Sequence, residues 1–297
     1  MSVNQRYKHR SRMKFQSATE YLTTYGWALL IIAAILAALI YLGVFNPLTY
    51  APKTPGGGCE VIRPLGPGTT YGMDMRGACS NTLPLYAAVF NGNGHVSTAV
   101  LEMNTTSGGY NTVAFWLYWN GYYPEIPISF GRYSLVFYSN SCFGFTSAGS
   151  DAYGMDPSNF KNTWIFIVAE FYNGDYTGTS RLYINGVPVQ LSNSAPCALQ
   201  WQIWNPSTSL YIGYLPPSYY KFRGMLANIQ LYNTSLDPAT INSMYLSGIG
   251  GDPQNLQNLI GWWPLNGEAK DYSGNNNDGS ETSIEYNTGW YYAYTIP

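Results

Sequence analysis

Charge is what this chain has least of. Asp, Glu, Lys and Arg make up 10% of its 297 residues, against about 25% in ordinary soluble domains. A nucleic-acid partner needs clustered Lys and Arg, so none is expected. Histidine is scarcer still. His9 and His95 stand far apart, and neither has a Cys or acid cluster beside it to complete a metal or nucleophile site. No Gly-rich stretch runs into Lys and Ser/Thr, so the sequence holds no phosphate cradle of that kind. The four cysteines, Cys59, Cys79, Cys142 and Cys197, lack the C-x-x-C spacing of a zinc site.

Apolar and aromatic residues take the place of charge. Hydrophobic residues reach 46% and aromatics 16%, with 28 Tyr and 9 Trp. That is enough to build one sizeable domain or two small ones. From Trp27 to Phe45, nineteen residues carry no formal charge and nearly all are apolar. A helix of that length spans roughly 30 Å, the thickness of a bilayer's hydrocarbon core, and in lipid a helix satisfies its own backbone. A hydrophobic helix over residues 16–46 is therefore expected, with Ala33, Ala34, Ala37 and Ala38 allowing close approach of neighbouring helices. Ahead of it, residues 1–15 hold Arg6, Lys8, Arg10, Arg12 and Lys14 and no acid, the pattern of a segment kept on the cytoplasmic side. No A-x-A-like site follows Phe45, unlike a secretory signal.

The junction Lys14-Phe15-Gln16-Ser17-Ala18-Thr19-Glu20-Tyr21-Leu22, followed by Thr24-Tyr25-Gly26-Trp27-Ala28, resembles the class III signal peptide of archaeal type IV pilins and archaellins. The resemblance implies that a prepilin peptidase cuts between Phe15 and Gln16 and leaves the helix on the mature subunit. It also implies a hallmark acid at the fifth mature position, here Glu20. The family prefers Gly or Ala before the cut, where this chain has Phe15. A cut there creates an ammonium at Gln16. Glu20, costly to bury unpaired near a membrane helix end, can pair with that charge in its own chain or a neighbour's, and it suits the helix dipole. Losing residues 1–15 leaves nine bases against 16 acids, a net charge of −7. An even number of cysteines on the outer side favours two disulfides. Of three connectivities, Cys59–Cys79 and Cys142–Cys197 close the shorter loops. Asn104-Thr105-Thr106 and Asn233-Thr234-Ser235 are candidate glycosylation sequons.

Beyond the helix, Asn46-Pro47 ends the apolar run, and residues 47–58 form a Pro/Gly linker. Strands are then expected at 85–90, 96–101, 112–119, 133–138, 164–172, 181–184, 187–191, 210–214, 225–232 and 259–265, with a final Tyr-rich strand to Pro297. Asn185-Gly186 is the strongest short-range hairpin signal. The segment TVAFWLYW is apolar on both alternating faces, as in a strand covered on both sides. One helix is expected after Asp237-Pro238, an N-cap and first-turn Pro, with Ile241, Met244 and Tyr245 on one face and Gly248 at its end.

The pieces FNGNGHVSTAV, NTVAFWLYW, WIFIVAEFYNG, RLYINGVPV, LYIGY, FRGMLANIQLYNTSLDPATINSMYLSG and LIGWWPLNGEAKDYSGNNNDG make residues 83–285 resemble the laminin-G-like, concanavalin A-like jelly roll. In that family a segment like the last commonly opens the domain. Here it comes late, so it either completes its own sandwich by permutation or serves a neighbouring subunit. The resemblance implies carbohydrate binding, sometimes with Ca2+, for which Asp271, Asn275 and Asp278 are the candidate ligands; the same residues are ordinary turn formers. Tyr122, Tyr123, Tyr219 and Tyr220 are candidates to stack on sugars or to pack against another subunit. Glucanases of the same fold need two carboxylates flanking one bond. No alternating acid pattern such as E-x-D-x-E is present, and Glu170 is a lone strand acid, so no enzyme is expected.

The expectation is a mainly β protein: a hydrophobic helix, a linker, and a LamG-like jelly-roll sandwich over residues 59–297. The resemblances imply a pilus-like structural subunit, membrane-inserted as a precursor and an extracellular filament when mature. The partners they imply are copies of itself through the helix, a prepilin peptidase, the membrane and surface glycans. A monomeric, membrane-anchored lectin is the alternative, and an archaellin a further one.

Overall fold

The computed structural model describes residues 25–37 and 84–297, apart from 132, 147–151, 175–178, 193, 198–207, 218–219 and 296; at 59–64, 70–75 and 292 it describes the backbone alone. The chain divides into two units between Lys53 and Thr54. In the first, residues 25–37 form a helix, α1, exposed throughout. The remainder of the expected 16–46 helix, with Phe15, Gln16 and Glu20, lies outside the described residues. Among those described, no helix is long and apolar enough to cross a membrane.

The second unit is built from strands. In chain order they are β1 (Cys59–Pro64), β2 (Thr70–Met75), β3 (Ala87–Asn91), β4 (His95–Ser97), β5 (Tyr110–Trp119), β6 (Glu125–Ser129), β7 (Ser134–Ser139), β8 (Cys142–Thr146) and β9 (Tyr153–Met155). Then come β10 (Trp164–Tyr172), β11 (Arg181–Ile184), β12 (Val187–Pro188), β13 (Tyr211–Ile212), β14 (Arg223–Tyr232), helix α2 (Pro238–Leu246), β15 (Leu259–Trp263), β16 (Ser280–Thr282) and β17 (Glu285–Asn287). Among the described residues, β1 and β2 pair only with each other. One main sheet runs β12-β11-β10-β5-β14-β3-β17, with β15 also on β14, and the other runs β16-β4-β13-β6-β7-β8-β9. The ladders within both are antiparallel.

Period-two alternation on β5 and β10 explains the layering. Val113, Phe115, Leu117 and Trp119 join Ile165, Ile167, Ala169 and Phe171 in the core between the sheets. Ala114, Trp116, Phe166 and Val168 point the other way, into a second core closed by Ile241 and Met244 of α2 and by Trp290. α2 starts where Asp237 accepts from the N–H groups of Ala239 and Thr240. The β11–β12 hairpin turns through Asn185 and Gly186, both at positive φ (51° and 78°), as its short turn requires.

The late segment completes its own sandwich. Along one edge of β14, residues 223–226 pair with β3 and residues 229–232 with β15. Other expectations needed correction. The stretch 96–101 is strand only at His95–Ser97, and Asn91–Gly94 carries the chain from one sheet to the other. The C-terminal tyrosines form a 3-10 turn, Trp290–Ala293, rather than a strand. The reason is packing: Trp164 Nε1 donates to the Trp290 carbonyl at 2.9 Å, and the Tyr294 ring meets Trp116 edge-on at 5.2 Å. There the turn covers apolar surface of the second core.

Candidate functional site

At one end of the sandwich four segments converge. β5 ends in Trp119, whose ring stacks on Phe137 at 4.3 Å and whose Nε1 donates to the Tyr122 carbonyl at 2.7 Å. That bond pins the connection to β6. Its tyrosines Tyr122 and Tyr123 are 54% and 51% exposed, a ledge of two rings on a fixed turn. A cis Tyr123–Pro124 peptide leads into β6. Beside it runs the approach to β14, where the Tyr220 carbonyl accepts from Ile126 N at 2.7 Å and Lys221 bridges Ile126.

Arg223 opens β14 and ties these pieces together. Its Nη1 donates to Glu125 Oε1 at 3.1 Å, and its Cζ lies 5.2 Å from the centre of the Tyr122 ring, within cation–π range. The Arg223 side chain is 47% exposed, while that of Glu125 is inaccessible. Gly92 makes room for it: its φ is +87°, and a Cβ there would lie 2.9 Å from Arg223 Nε. Among the described residues, Glu125 Oε2 has no hydrogen-bond partner. Burial pushes the Glu125 carboxyl from 4.5 up to about 7, against the pull of Arg223. Neither Glu125 nor Arg223 is singled out by sequence reasoning. The acid follows a Tyr-Tyr-Pro turn, and its partner is 98 residues away.

The opposite end carries a similar triplet. Glu170, read in the sequence as a lone strand acid, is fully buried. It accepts from Arg181 Nη1 at 3.2 Å and from Leu236 N at 2.7 Å, and Arg181 Cζ lies 5.4 Å from the Tyr110 ring centre. Both sequons lie here as well. Asn104 Nδ2 donates to the Asn233 carbonyl at 3.3 Å, and Asn173 Nδ2 donates to the carbonyls of Asn104 and Thr106. Asparagine side chains thus satisfy the loop backbone.

The model of the concanavalin A-like lectin/glucanases superfamily matches residues 90–242, more than half of the chain. The chain belongs to that superfamily. No curated protein matches it in sequence. Similar solved structures include a candidate carbohydrate-binding protein from Bacteroides ovatus, at 13% identity and TM-score 0.49, covering 73% of this chain and 66% of that one. A heptameric pentraxin from Limulus polyphemus shows 11% identity and TM-score 0.44, with 68% and 94% covered. Domain 4 of an extracellular arabinanase from Geobacillus stearothermophilus, solved with arabinotriose, shows 16% identity and TM-score 0.36, with 65% and 91% covered.

For this superfamily member the calcium expectation meets a loop already occupied by its own hydrogen bonds. Asp271 is 5% exposed. Its Oδ1 accepts from the N–H groups of Trp262 and Ser273, and its Oδ2 from Ser273 Oγ and Asn277 N. Asn275 turns its amide nitrogen, not its oxygen, inward to the Leu259 and Ile260 carbonyls. Asp278 Oδ1 accepts from Asp271 N. This donor set does not fit calcium, which needs several oxygens converging on one point, and no group of three or more His, Cys, Asp or Glu among the described residues could hold a metal. Cys142 and Cys197 form a disulfide that packs with Ile126, Val136 and Ala152. Cys59 is described by its backbone alone, and Cys79 and Tyr219 lie outside the described residues.

Proposed function

We propose that this chain is a surface-displayed saccharide-binding protein: its sandwich offers the Tyr122–Tyr123 ledge to glycans, and its N-terminal segment builds it into a type IV pilus-like filament. The observation that carries the binding reading is a pair of adjacent, half-exposed tyrosines on a turn pinned by Trp119. Tyrosine offers an apolar face and a polar tip and loses little conformational entropy on binding, which suits the C–H and O–H faces of a sugar.

Binding without hydrolysis fits the carboxylates. Glu125 meets Arg223 at the start of β14, and Glu170 meets Leu236 beyond its end. Ten residues of β14 span roughly 30 Å, whereas a glycosidase pair stands about 5–10 Å apart. The filament reading rests on residues 14–45 and on the resemblance of their junction to prepilins. Membrane insertion as a precursor and an outer location when mature belong to the same reading.

A glycan array probed with the full chain tests the ledge. Wild type is expected to retain a discrete set of saccharides and the Tyr122→Ala/Tyr123→Ala variant to lose it; a blank array for wild type sinks the reading. N-terminal sequencing of the mature protein tests the filament half. A start at Gln16 supports it, and an intact Met1 or Ser2 on protein that never polymerises overturns it.

A further inference from the structure

We infer that the ledge selects an acidic saccharide, one bearing a carboxylate or sulfate, and that Arg223 is the selecting residue; this rests on the reading of the ledge as a saccharide site. A guanidinium has five N–H donors. Among the described residues, the one hydrogen-bond acceptor on Arg223 is Glu125 Oε1. The contact is single, since Glu125 Oε2 has no partner. The pair is therefore not the two-pronged arrangement that would use a whole edge of the guanidinium. Half of the Arg223 side chain faces solvent.

The cation sits against one of the two rings. Arg223 covers one face of Tyr122, so a sugar packed on the remaining exposed surface of Tyr122 and Tyr123 brings an acidic substituent toward the free N–H groups. Arginine suits carboxylate and sulfate because its planar fork can engage two oxygens at once. Glu125 holds the guanidinium from the protein side and is inaccessible to the ligand. Two more cations stand at this end. Lys221 is half-buried beside β6, and exposed Lys161 lies against Gly121, where a Cβ would come 2.5 Å from its Cε. Arg181 provides the contrast. It lies over Tyr110, but that ring is half-buried and packs against Tyr172 at 5.2 Å, and the described residues offer no comparable platform there.

The test titrates the full chain in detergent with three oligosaccharide probes of equal length: galacturonate, sulfated galactose and neutral galactose. At least one acidic probe is expected to bind about tenfold more tightly than the neutral one, the scale of one charge-assisted hydrogen bond, and the two acidic arms show which group is preferred. Arg223→Gln removes that advantage. Arg223→Lys, which keeps the charge but not the fork, removes most of it. At about pH 8, above the range in which Glu125 holds its proton, Glu125→Gln keeps an acceptor under Arg223 without the charge and enlarges the advantage. Arg181→Lys leaves it unchanged. The neutral probe monitors folding, because a merely structural Arg223 would weaken all three probes alike. Equal binding of neutral and acidic probes, or an advantage that survives Arg223→Gln, overturns the inference and leaves the ledge standing. Binding of no probe overturns both.

Discussion

At one end of the sandwich Glu170 pairs with Arg181, which lies over Tyr110; at the other Glu125 pairs with Arg223, which lies over Tyr122. Both carboxylates are buried and both arginines are about half exposed. Their completeness differs. Glu170 uses both oxygens, one on Arg181 and one on the Leu236 N–H, whereas Glu125 uses one. A buried acid with all its bonds made holds a loop to a strand. One left half-bonded weakens the folded state locally, and it sits under exposed tyrosines. The first end reads as structure and the second as a site.

The largest effect should come from breaking the complete triplet. Glu170→Ala strands the buried Leu236 N–H and is expected to cost about 4 kcal/mol in denaturant unfolding. A cost below about 1 kcal/mol would remove the distinction between the ends. Next is the pH dependence of the incomplete one. The folded protein keeps a proton on Glu125 where the unfolded chain has lost it. The stability this gives is therefore full below pH 4.5 and is lost as pH rises through about 7. The loss is up to about 3 kcal/mol, and Glu125→Gln should reduce the slope of the curve over that window. Glu170 is also raised by burial, against Leu236 N–H and Arg181, so its contribution persists in the Glu125→Gln profile and serves as the internal reference. A smaller effect, about 1 kcal/mol, is expected for Gly92→Ala, which forces a side chain to positive φ and against Arg223; it should weaken saccharide binding more than it lowers stability. The smallest is no effect: chelator should leave the melting temperature unchanged, because Asp271 already has donors on both oxygens.

The structural end was easier to read in the sequence than the site. β10 was expected over its full length because WIFIVAEFY is an unbroken β-prone run, and the start of α2 because Asp237-Pro238 is a local cap signal. β6, β8 and β9 escaped because EIPIS carries an acid and a Pro, CFGFT a central Gly, and YGM is only three residues. Burial between neighbours, not intrinsic propensity, makes them strands. At the site, Tyr122 and Tyr123 were legible as aromatics beside a turn. Arg223 and Glu125 were not, because a pairing between distant strands leaves no local mark.

The division between the two ends is tested most directly by hydrogen exchange on the full chain with and without a bound acidic oligosaccharide. Slowed exchange over residues 119–126 and 221–224, with 104–112 and 233–236 unchanged, is the predicted result. Protection confined to the asparagine-rich end, with the tyrosine ledge unaffected, would contradict the account.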